Sequence, residues 1–204
     1  MTDLRSVHPR HLFRGGHAAI DFLNTAFAPD GQEIETIGDG VALMDWMVGA
    51  GLLPRPLAAR LRRRFGAKAL EAAAAEARQM REWARAWIGR WRTDPLAYYG
   101  NEIDALNKLM ARAPSHREVT STAEGFRVVE RDQLESADAL LALIARSIAT
   151  LICEEQPSLI KACAGSSCTL WFLDRTRGHR RMFCSSTACG NRAKVAAFRE
   201  RQRN

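Results

Sequence analysis

The sequence lacks the features that place a protein in or across a membrane. Its most apolar stretch, residues 139–153, is too short to span a bilayer and contains Arg146. The first ten residues carry early charges and no apolar segment of the kind found in signal peptides. We therefore expect a cytoplasmic protein that has no membrane segment.

The signatures of common enzyme classes are also missing. The five histidines form no His-Glu-x-x-His arrangement, and Gly15-Gly16 and Gly49-x-Gly51 are too short and isolated for a phosphate-binding loop. We therefore expect no enzymatic activity. An enzyme with its site among the N-terminal helices would need a deep pocket in which Asp21 and Asn24 converge.

Cysteine is scarce, and four of the five cysteines lie close together in the sequence. Cys163, Cys168, Cys184 and Cys189 read Cys-x4-Cys, fifteen residues, then Cys-x4-Cys. Two close pairs with a spacer are typical of a closed structural zinc site, which leaves no open position for catalysis. A redox or disulfide pair is disfavoured in a reducing compartment, whereas an iron–sulfur cluster stays open as an alternative. We expect Cys153, on an apolar helix, to be buried and inert.

Acidic residues are almost absent from the last 44 positions. Residues 161–204 carry ten Lys/Arg and two acids, a net charge of +8, whereas residues 1–160 carry twenty Lys/Arg and twenty-one acids, a net charge of −1. Four thiolates and one Zn²⁺ would lower the charge of the cysteine segment to about +6. The asymmetry indicates an anionic partner, with nucleic acid the leading candidate.

Hydrophobic periodicity predicts a mainly α fold, which becomes α+β when a small predicted hairpin is counted. Seams at steps of three and four residues predict two long helices, over residues 67–92 and 134–155, that pack on each other. Shorter helices are expected over 17–27, 41–50, 56–64, 96–113 and 188–203, a hairpin over 117–122 and 126–131, and a strand over 170–173. Pro157 marks the predicted boundary between a helical domain, residues 1–156, and a small zinc module, residues 157–204.

The cysteine segment resembles the CGNR zinc finger, a bacterial family named for the string at Cys189-Gly190-Asn191-Arg192. The string Ile20-Asp21-Phe22-Leu23-Asn24-Thr25 resembles the Leu-Asp-Phe-Val-Asn-Thr motif of the ABATE domain, which precedes this finger in proteins described as stress-induced transcription regulators. The resemblance implies zinc ligation by the four paired cysteines, DNA binding by the finger, and sensing or regulation by the helical domain.

Basic residues of the cysteine segment form two groups, one in the spacer loop and one on the last helix. Arg192, Arg199 and Arg203 fall on a narrow arc of that helix, whereas Val195 and Phe198 are expected to pack on the zinc core. A solvated tail that binds anions weakly would explain only some of these charges. We predict nucleic-acid contacts from Arg175, Arg177, Arg180, Arg181, Asn191, Arg192, Lys194, Arg199 and Arg203.

Asp21, Asn24 and Thr25 share one face of the first predicted helix. One interpretation is a binding site for a small-molecule effector. The other is a buried polar cluster that caps and orients neighbouring helices, which is the commoner use of such residues.

The leading hypothesis is a transcription regulator in which a helical sensing or assembly domain is joined to a DNA-binding zinc module. A single short finger has a small footprint, so useful specificity would need a homodimer or DNA shape. The alternative is a protein-interaction module whose zinc is purely structural and whose basic surface contacts an acidic protein.

Overall fold

The described part of the chain, residues 11–203 of a computed structural model, contains six α-helices and three two-stranded antiparallel sheets. The helices are α1 (Ala18–Leu23), α2 (Gly40–Gly49), α3 (Arg55–Thr93), α4 (Gly100–Met110), α5 (Leu140–Glu154) and α6 (Asn191–Arg203). The strand pairs are β1 (Ala26–Phe27) with β2 (Ile34–Glu35), β3 (Ser115–Thr122) with β4 (Gly125–Asp132), and β5 (Ile160–Ala162) with β6 (Trp171–Leu173). The mainly α prediction is confirmed.

The predicted helical seams form the main core. On α3 the seam residues Leu70, Ala73, Ala77, Met80, Ala84 and Trp87 are buried and Trp91 is half-buried. The seam residues Leu141, Ile144, Ile148 and Leu151 of α5 are also buried. The two helices contact each other, and the short, almost wholly buried α1 lies against both. No helix within residues 11–203 is both long and apolar enough to cross a membrane.

A glycine interrupts the longest helix where the sequence predicted a gap between two helices. Gly66 has φ 74° and ψ 168°, a conformation in the left-handed half of the map that residues with a Cβ rarely adopt. Residues 55–65 and 67–93 therefore form two helical segments that meet at a kink. The shorter segment lies beside α2, where Arg62 donates to the carbonyl oxygen of Val41 (3.2 Å) and pairs with Asp45 (2.5 Å).

Three predicted helix ends are wrong by four residues or more. Helix α4 begins at Gly100 instead of residue 96, and at the other two ends tertiary contacts hold the backbone elsewhere. The first helix ends at Leu23 instead of residue 27, since the backbone of Thr25 accepts hydrogen bonds from the amide and hydroxyl of Thr36. Helix α5 begins at Leu140 instead of Leu134, because Arg64 donates to the Leu134 carbonyl oxygen (3.2 Å). Leu134 nevertheless lies in the core.

Three other features differ from expectation. Strands β1, β2 and β5 are too short to carry a periodicity and were not predicted, whereas β6, the partner of β5, was predicted. The last helix is preceded by a turn of π-helix, Ser186–Gly190, which contains Cys189. Cys153 is exposed near the C-terminal end of α5, so the prediction that it is buried is wrong.

A second hydrophobic cluster surrounds the cysteines, and both halves of the chain contribute to it. Phe172 is fully buried at its centre, with Leu170 and the side chains of Cys163, Cys184 and Cys189 beside it. Three residues from the N-terminal part complete the cluster: Leu12, Phe27 and Ile34. The division into residues 1–156 and 157–204 stays a prediction, and the two segments share this core.

We predict opposite effects for alanine at two glycines. A Cβ at Gly40 would lie 2.5 Å from the backbone carbonyl carbon of Leu70, so Gly40→Ala should destabilise the fold by about 1–3 kcal/mol or more. A Cβ at Gly89, inside α3, would lie 3.5 Å from the Trp171 ring, an ordinary contact. Gly89→Ala should therefore stabilise the protein by up to about 1 kcal/mol through helix propensity.

The free energy of unfolding of the zinc-loaded protein in urea would measure both changes. Each variant serves as the control for the other, since both add a single methyl group. A Gly40→Ala protein as stable as the parent would contradict the close approach of α2 to α3.

Candidate metal centre and basic surface

The four paired cysteines meet at one point. Their Sγ atoms all lie within 4.8 Å of one another. The Sγ of Cys184 lies 3.6 Å from that of Cys189 and 3.9 Å from that of Cys168. Tetrahedral zinc with Zn–S bonds of about 2.3 Å requires sulfur–sulfur separations of about 3.8 Å, so the arrangement fits a four-thiolate zinc site.

Short backbone elements bring the ligands together. The amide of Cys163, which follows β5, donates to the carbonyl oxygen of Leu170 (2.9 Å), and the amide of Cys184 donates to Cys163 Sγ (3.3 Å). Gly165 lies beneath the cluster, where a Cβ would lie 3.2 Å from Cys168 Cβ and 3.5 Å from Cys189 Sγ. A larger residue at position 165 would therefore crowd the ligands.

Crowding of the thiols explains why the cluster needs a cation. Burial and the neighbouring thiols of Cys189 and Cys163 raise the pKa of Cys168 to about 11. Burial and the neighbouring thiols of Cys189 and Cys163 likewise raise the pKa of Cys184 well above its ordinary value. Four thiolates at this separation repel one another, and a divalent ion bound between them removes that repulsion.

Arg192 connects the cysteine cluster to the N-terminal part of the chain. Its guanidinium donates to Cys189 Sγ (3.0 Å) and to the carbonyl oxygen of Pro29 (2.6 Å). The hydrogen bond to Cys189 and the charge of that sulfur raise the pKa of Arg192 above its ordinary value. The arginine thus lies outside the ligand shell and orients one of its sulfurs.

Asp174 organises the spacer loop between the cysteine pairs. Its side chain is fully buried and accepts from Lys161 Nζ (2.7 Å), Thr176 Oγ1 (2.6 Å) and the amide of Arg181 (2.9 Å). Burial acts to raise the pKa of Asp174, but these donors outweigh it and hold the pKa well below its usual range. Asp174 was not among the predicted site residues, although it is the only acid between Cys168 and Cys184.

Trp171 fixes the cysteine segment to the helices. Its amide donates to Asn24 Oδ1 and its carbonyl oxygen accepts from Asn24 Nδ2, both at 2.8 Å. The guanidinium carbons of Arg85 and Arg92 lie 4.7 and 4.6 Å from the centre of a Trp171 ring, within cation–π range. Arg85 also donates to the carbonyl oxygens of Leu23 (3.1 Å) and Thr169 (2.5 Å).

Comparison with family models accounts for both parts of this arrangement. The ABATE model, described as "Putative stress-induced transcription regulator", matches residues 16–155, more than half of the chain. The chain belongs to the ABATE family. The CGNR zinc finger model matches residues 160–202, which contain all four cysteines. A comparison with curated proteins gave no match.

The two matches confirm the resemblance that the sequence motifs indicated. With the sulfur geometry, they identify the cysteine cluster of this ABATE protein as a site for one structural Zn²⁺. Neither family description names an enzymatic activity.

Three of the basic residues predicted to contact nucleic acid have partners within the ABATE protein itself. Arg175 pairs with Glu155, and Arg192 donates to Pro29 and Cys189 as described. Arg181 donates to the carbonyl oxygens of Phe183 (2.9 Å) and Cys184 (2.5 Å), with its guanidinium 4.2 Å from the centre of the Phe172 ring. Arg181 thus braces the zinc module itself, whereas Arg175 and Arg192 join it to the rest of the chain.

The other predicted residues are exposed and make no side-chain hydrogen bond or ion pair with another residue of the range 11–203. They are Arg177 and Arg180 in the spacer loop, and Asn191, Lys194, Arg199 and Arg203 on α6. All thirteen residues of α6 are described, and none of them is buried. The expectation that Val195 and Phe198 pack on the zinc core is wrong, since they are 40% and 54% exposed.

The three polar residues of the ABATE motif are buried, and each bonds within the chain. Asp21 Oδ1 accepts from the amide of Gly15 (2.7 Å), and Asn24 pairs with Trp171. Thr25 Oγ1 donates to the Phe22 carbonyl oxygen (2.7 Å) and accepts from Arg81 (3.1 Å). These contacts give each side chain a structural use, and effector binding by them stays a prediction.

Replacing Arg192 by alanine should weaken zinc retention. The change removes the donor to Cys189 Sγ, and loss of such an outer contact typically lowers metal affinity by about 10- to 100-fold. Competition with a chromophoric chelator would measure the effect. Lys194→Ala, which removes an equally exposed cation from the same helix, is the control and should retain zinc like the parent. Equal affinity in both variants would contradict this function of Arg192.

The stability of the protein should depend on pH through Asp21. Burial raises the pKa of Asp21 from 3.8 to about 6, although the amides of Gly15 and Arg14 act to lower it. Because the folded state binds the proton of Asp21 more tightly than the unfolded chain does, ionisation of Asp21 lowers the free energy of unfolding, and the full effect is reached above about pH 6. This loss of stability becomes smaller as the pH falls and is absent below about pH 4.

Asp21→Asn should therefore be more stable than the parent at pH 7, by roughly 1–3 kcal/mol, and should lose this advantage near pH 4. Urea unfolding at several pH values would measure the difference. Asp104→Asn, at an exposed position of α4, should show no such difference. A constant offset between Asp21→Asn and the parent at every pH would contradict the raised pKa.

Proposed function

We propose that this ABATE protein is a DNA-binding transcription regulator whose zinc module presents α6 to the phosphate backbone. The observation that carries the proposal is the exposure of α6 along its whole length. A thirteen-residue helix without any buried residue gains little from packing, so its basic side chains are available for a partner. Contact with the chromosome would place the protein in the cytoplasm.

The free cations define the proposed DNA surface. Arg177 and Arg180 would contact phosphates from the spacer loop, and Lys194, Arg199 and Arg203 from α6. A helix of this length, about 20 Å, fits the major groove, where Asn191 at its first turn is suited to reach a base edge. Arg175, Arg181 and Arg192 would position the surface and not contact the DNA.

The helical domain would regulate the finger through the contacts that join them. Asn24, Arg85 and Arg92 all contact Trp171, which follows the ligand Cys168 by three residues. A small-molecule effector or an assembly partner that shifts α1 or α3 would therefore move Trp171 and, with it, the finger. We propose this junction as the route of regulation.

The alternative function is a protein-interaction module with a purely structural zinc site. It is favoured by the exposed Val195 and Phe198, which lie beside the arginine arc on α6. An apolar stripe next to cations suits an acidic protein that carries its own apolar patch. DNA phosphates would leave these two side chains in water.

Fluorescence anisotropy of a labelled duplex, titrated with the zinc-loaded protein at increasing salt, tests DNA binding. Affinity should fall steeply with salt, because each phosphate contact releases condensed counterions. Arg199→Ala/Arg203→Ala should reduce the slope of log affinity against log salt by about two and weaken binding at every salt concentration.

Arg60→Ala/Arg63→Ala is the matched control, since it removes two exposed arginines from α3 and the same net charge. Equal losses in the two double variants would indicate general charge attraction and contradict a specific surface. If the Phe198→Ser variant no longer bound an acidic protein while its affinity for DNA stayed unchanged, the alternative function would be favoured.

A further inference from the structure

The hairpin of β3 and β4 has an apolar face that no described element covers. Val119, Val128 and Phe126 are 69%, 62% and 85% exposed. Neither strand packs extensively on any described element other than its partner strand. Exposed apolar side chains that cluster on one surface usually mark an interaction site, whereas single ones need no explanation.

The strand register shows that these three residues share one face. Val119 pairs with Val128 and Ser121 pairs with Phe126, so alternation places all four side chains on the same side of the ribbon. Arg117 and Glu130, the next pair on that side, extend the face with one charge of each sign. We name this set the ribbon face: Arg117, Val119, Ser121, Phe126, Val128 and Glu130.

The opposite face of the hairpin is mostly polar, with the half-buried Val129 as its apolar residue, and several of its groups bond to one another. Arg131 pairs with Glu118 (2.5 Å), and Thr120 donates to the Arg127 carbonyl oxygen (3.4 Å). At the base of the hairpin Arg146 of α5 pairs with Asp132 and anchors the ribbon to the helices. By the register Asp132 and its partner Ser115 lie on the same side as the ribbon face, at the end of the hairpin nearest the helices.

The ribbon face is complementary to itself. Two copies can stack with their ribbon faces together, related by a two-fold axis that lies between the ribbons and runs parallel to the strands. This axis places β3 of one copy over β4 of the other. Residues that pair across the hairpin then face each other between copies, so Val119 meets the second copy's Val128, and Arg117 meets its Glu130. Arg117 makes no ion pair with another residue of the described range, and Glu130 accepts only from Ser115 there.

We propose that two copies of this protein associate through their ribbon faces, stacked face to face about such an axis. The face presents apolar side chains to apolar side chains and each charge to its opposite, as a two-fold interface requires. A polar or uniformly charged partner would gain nothing from the apolar centre. A ribbon of eight residue pairs offers on the order of 300 Å² per copy, well below the roughly 800 Å² of standard interfaces.

The dimer is consequently weak in the free protein and forms only in the high concentration range that a small interface requires. Two fingers held on one duplex would raise the effective concentration into this range. The proposal does not depend on DNA binding, because the association is measured on the protein alone.

Sedimentation velocity of the zinc-loaded protein, from a few micromolar to about 1 mM, tests the association. The parent should show a concentration-dependent shift from monomer to dimer, and Val128→Asp should weaken it by at least tenfold. Leu96→Asp is the matched control, since Leu96 is 95% exposed, lies outside the hairpin and should leave the association unchanged. Circular dichroism establishes that each variant is folded.

Charge exchange gives a second test that does not disturb the apolar centre. Arg117→Glu and Glu130→Arg should each weaken the dimer, and the double variant should restore it, because both intermolecular pairs are then reversed. Arg127→Glu, on the polar face, should have no effect. A parent that stays monomeric at the highest concentration, a Leu96→Asp effect equal to that of Val128→Asp, or a double variant no better than the singles would each overturn the proposal.

Discussion

The repulsion among four thiolates is the constraint on which the rest of the C-terminal structure depends. Sulfur atoms within 4.8 Å of one another repel strongly once they are ionised together, and a cation bound between them removes that repulsion. The short β5–β6 pair and the π-helical turn supply little stability of their own. The metal fixes where Cys189 lies, and Cys189 fixes where α6 begins.

Polar side chains at the junction transmit that order to the rest of the chain. Asn24 satisfies both backbone groups of Trp171, and Arg192 bridges a ligand sulfur and the Pro29 carbonyl oxygen. Such groups are unfavourable to bury unless every donor and acceptor is matched, so they specify one arrangement of the two segments. The basic side chains of this protein thus have two distinct uses. Those at the junction position the two segments, and those on α6 are available for a partner.

The sequence allowed prediction of those features that follow from spacing. The cysteine pairs predicted the zinc site, and the seams predicted the core of α3 and α5, because ligand geometry and helical periodicity are local properties. Asn24 and Asp174 were not assigned their partners, since each bonds to groups that are distant in sequence or part of an irregular loop. Val195 and Phe198 show the opposite error, since an apolar residue on a helix predicts burial only when a neighbouring element is present to cover it.

The shared hydrophobic cluster has a consequence for how such fingers are inherited. Leu12, Phe27 and Ile34 close the core around Phe172, so a finger cut out at Pro157 would expose apolar surface that zinc alone does not cover. Many small zinc modules are transferred between unrelated proteins as self-contained cassettes. This finger shares its hydrophobic core with the N-terminal segment, so a substitution in either segment must fit the side chains of the other. The two segments are therefore expected to evolve as one unit.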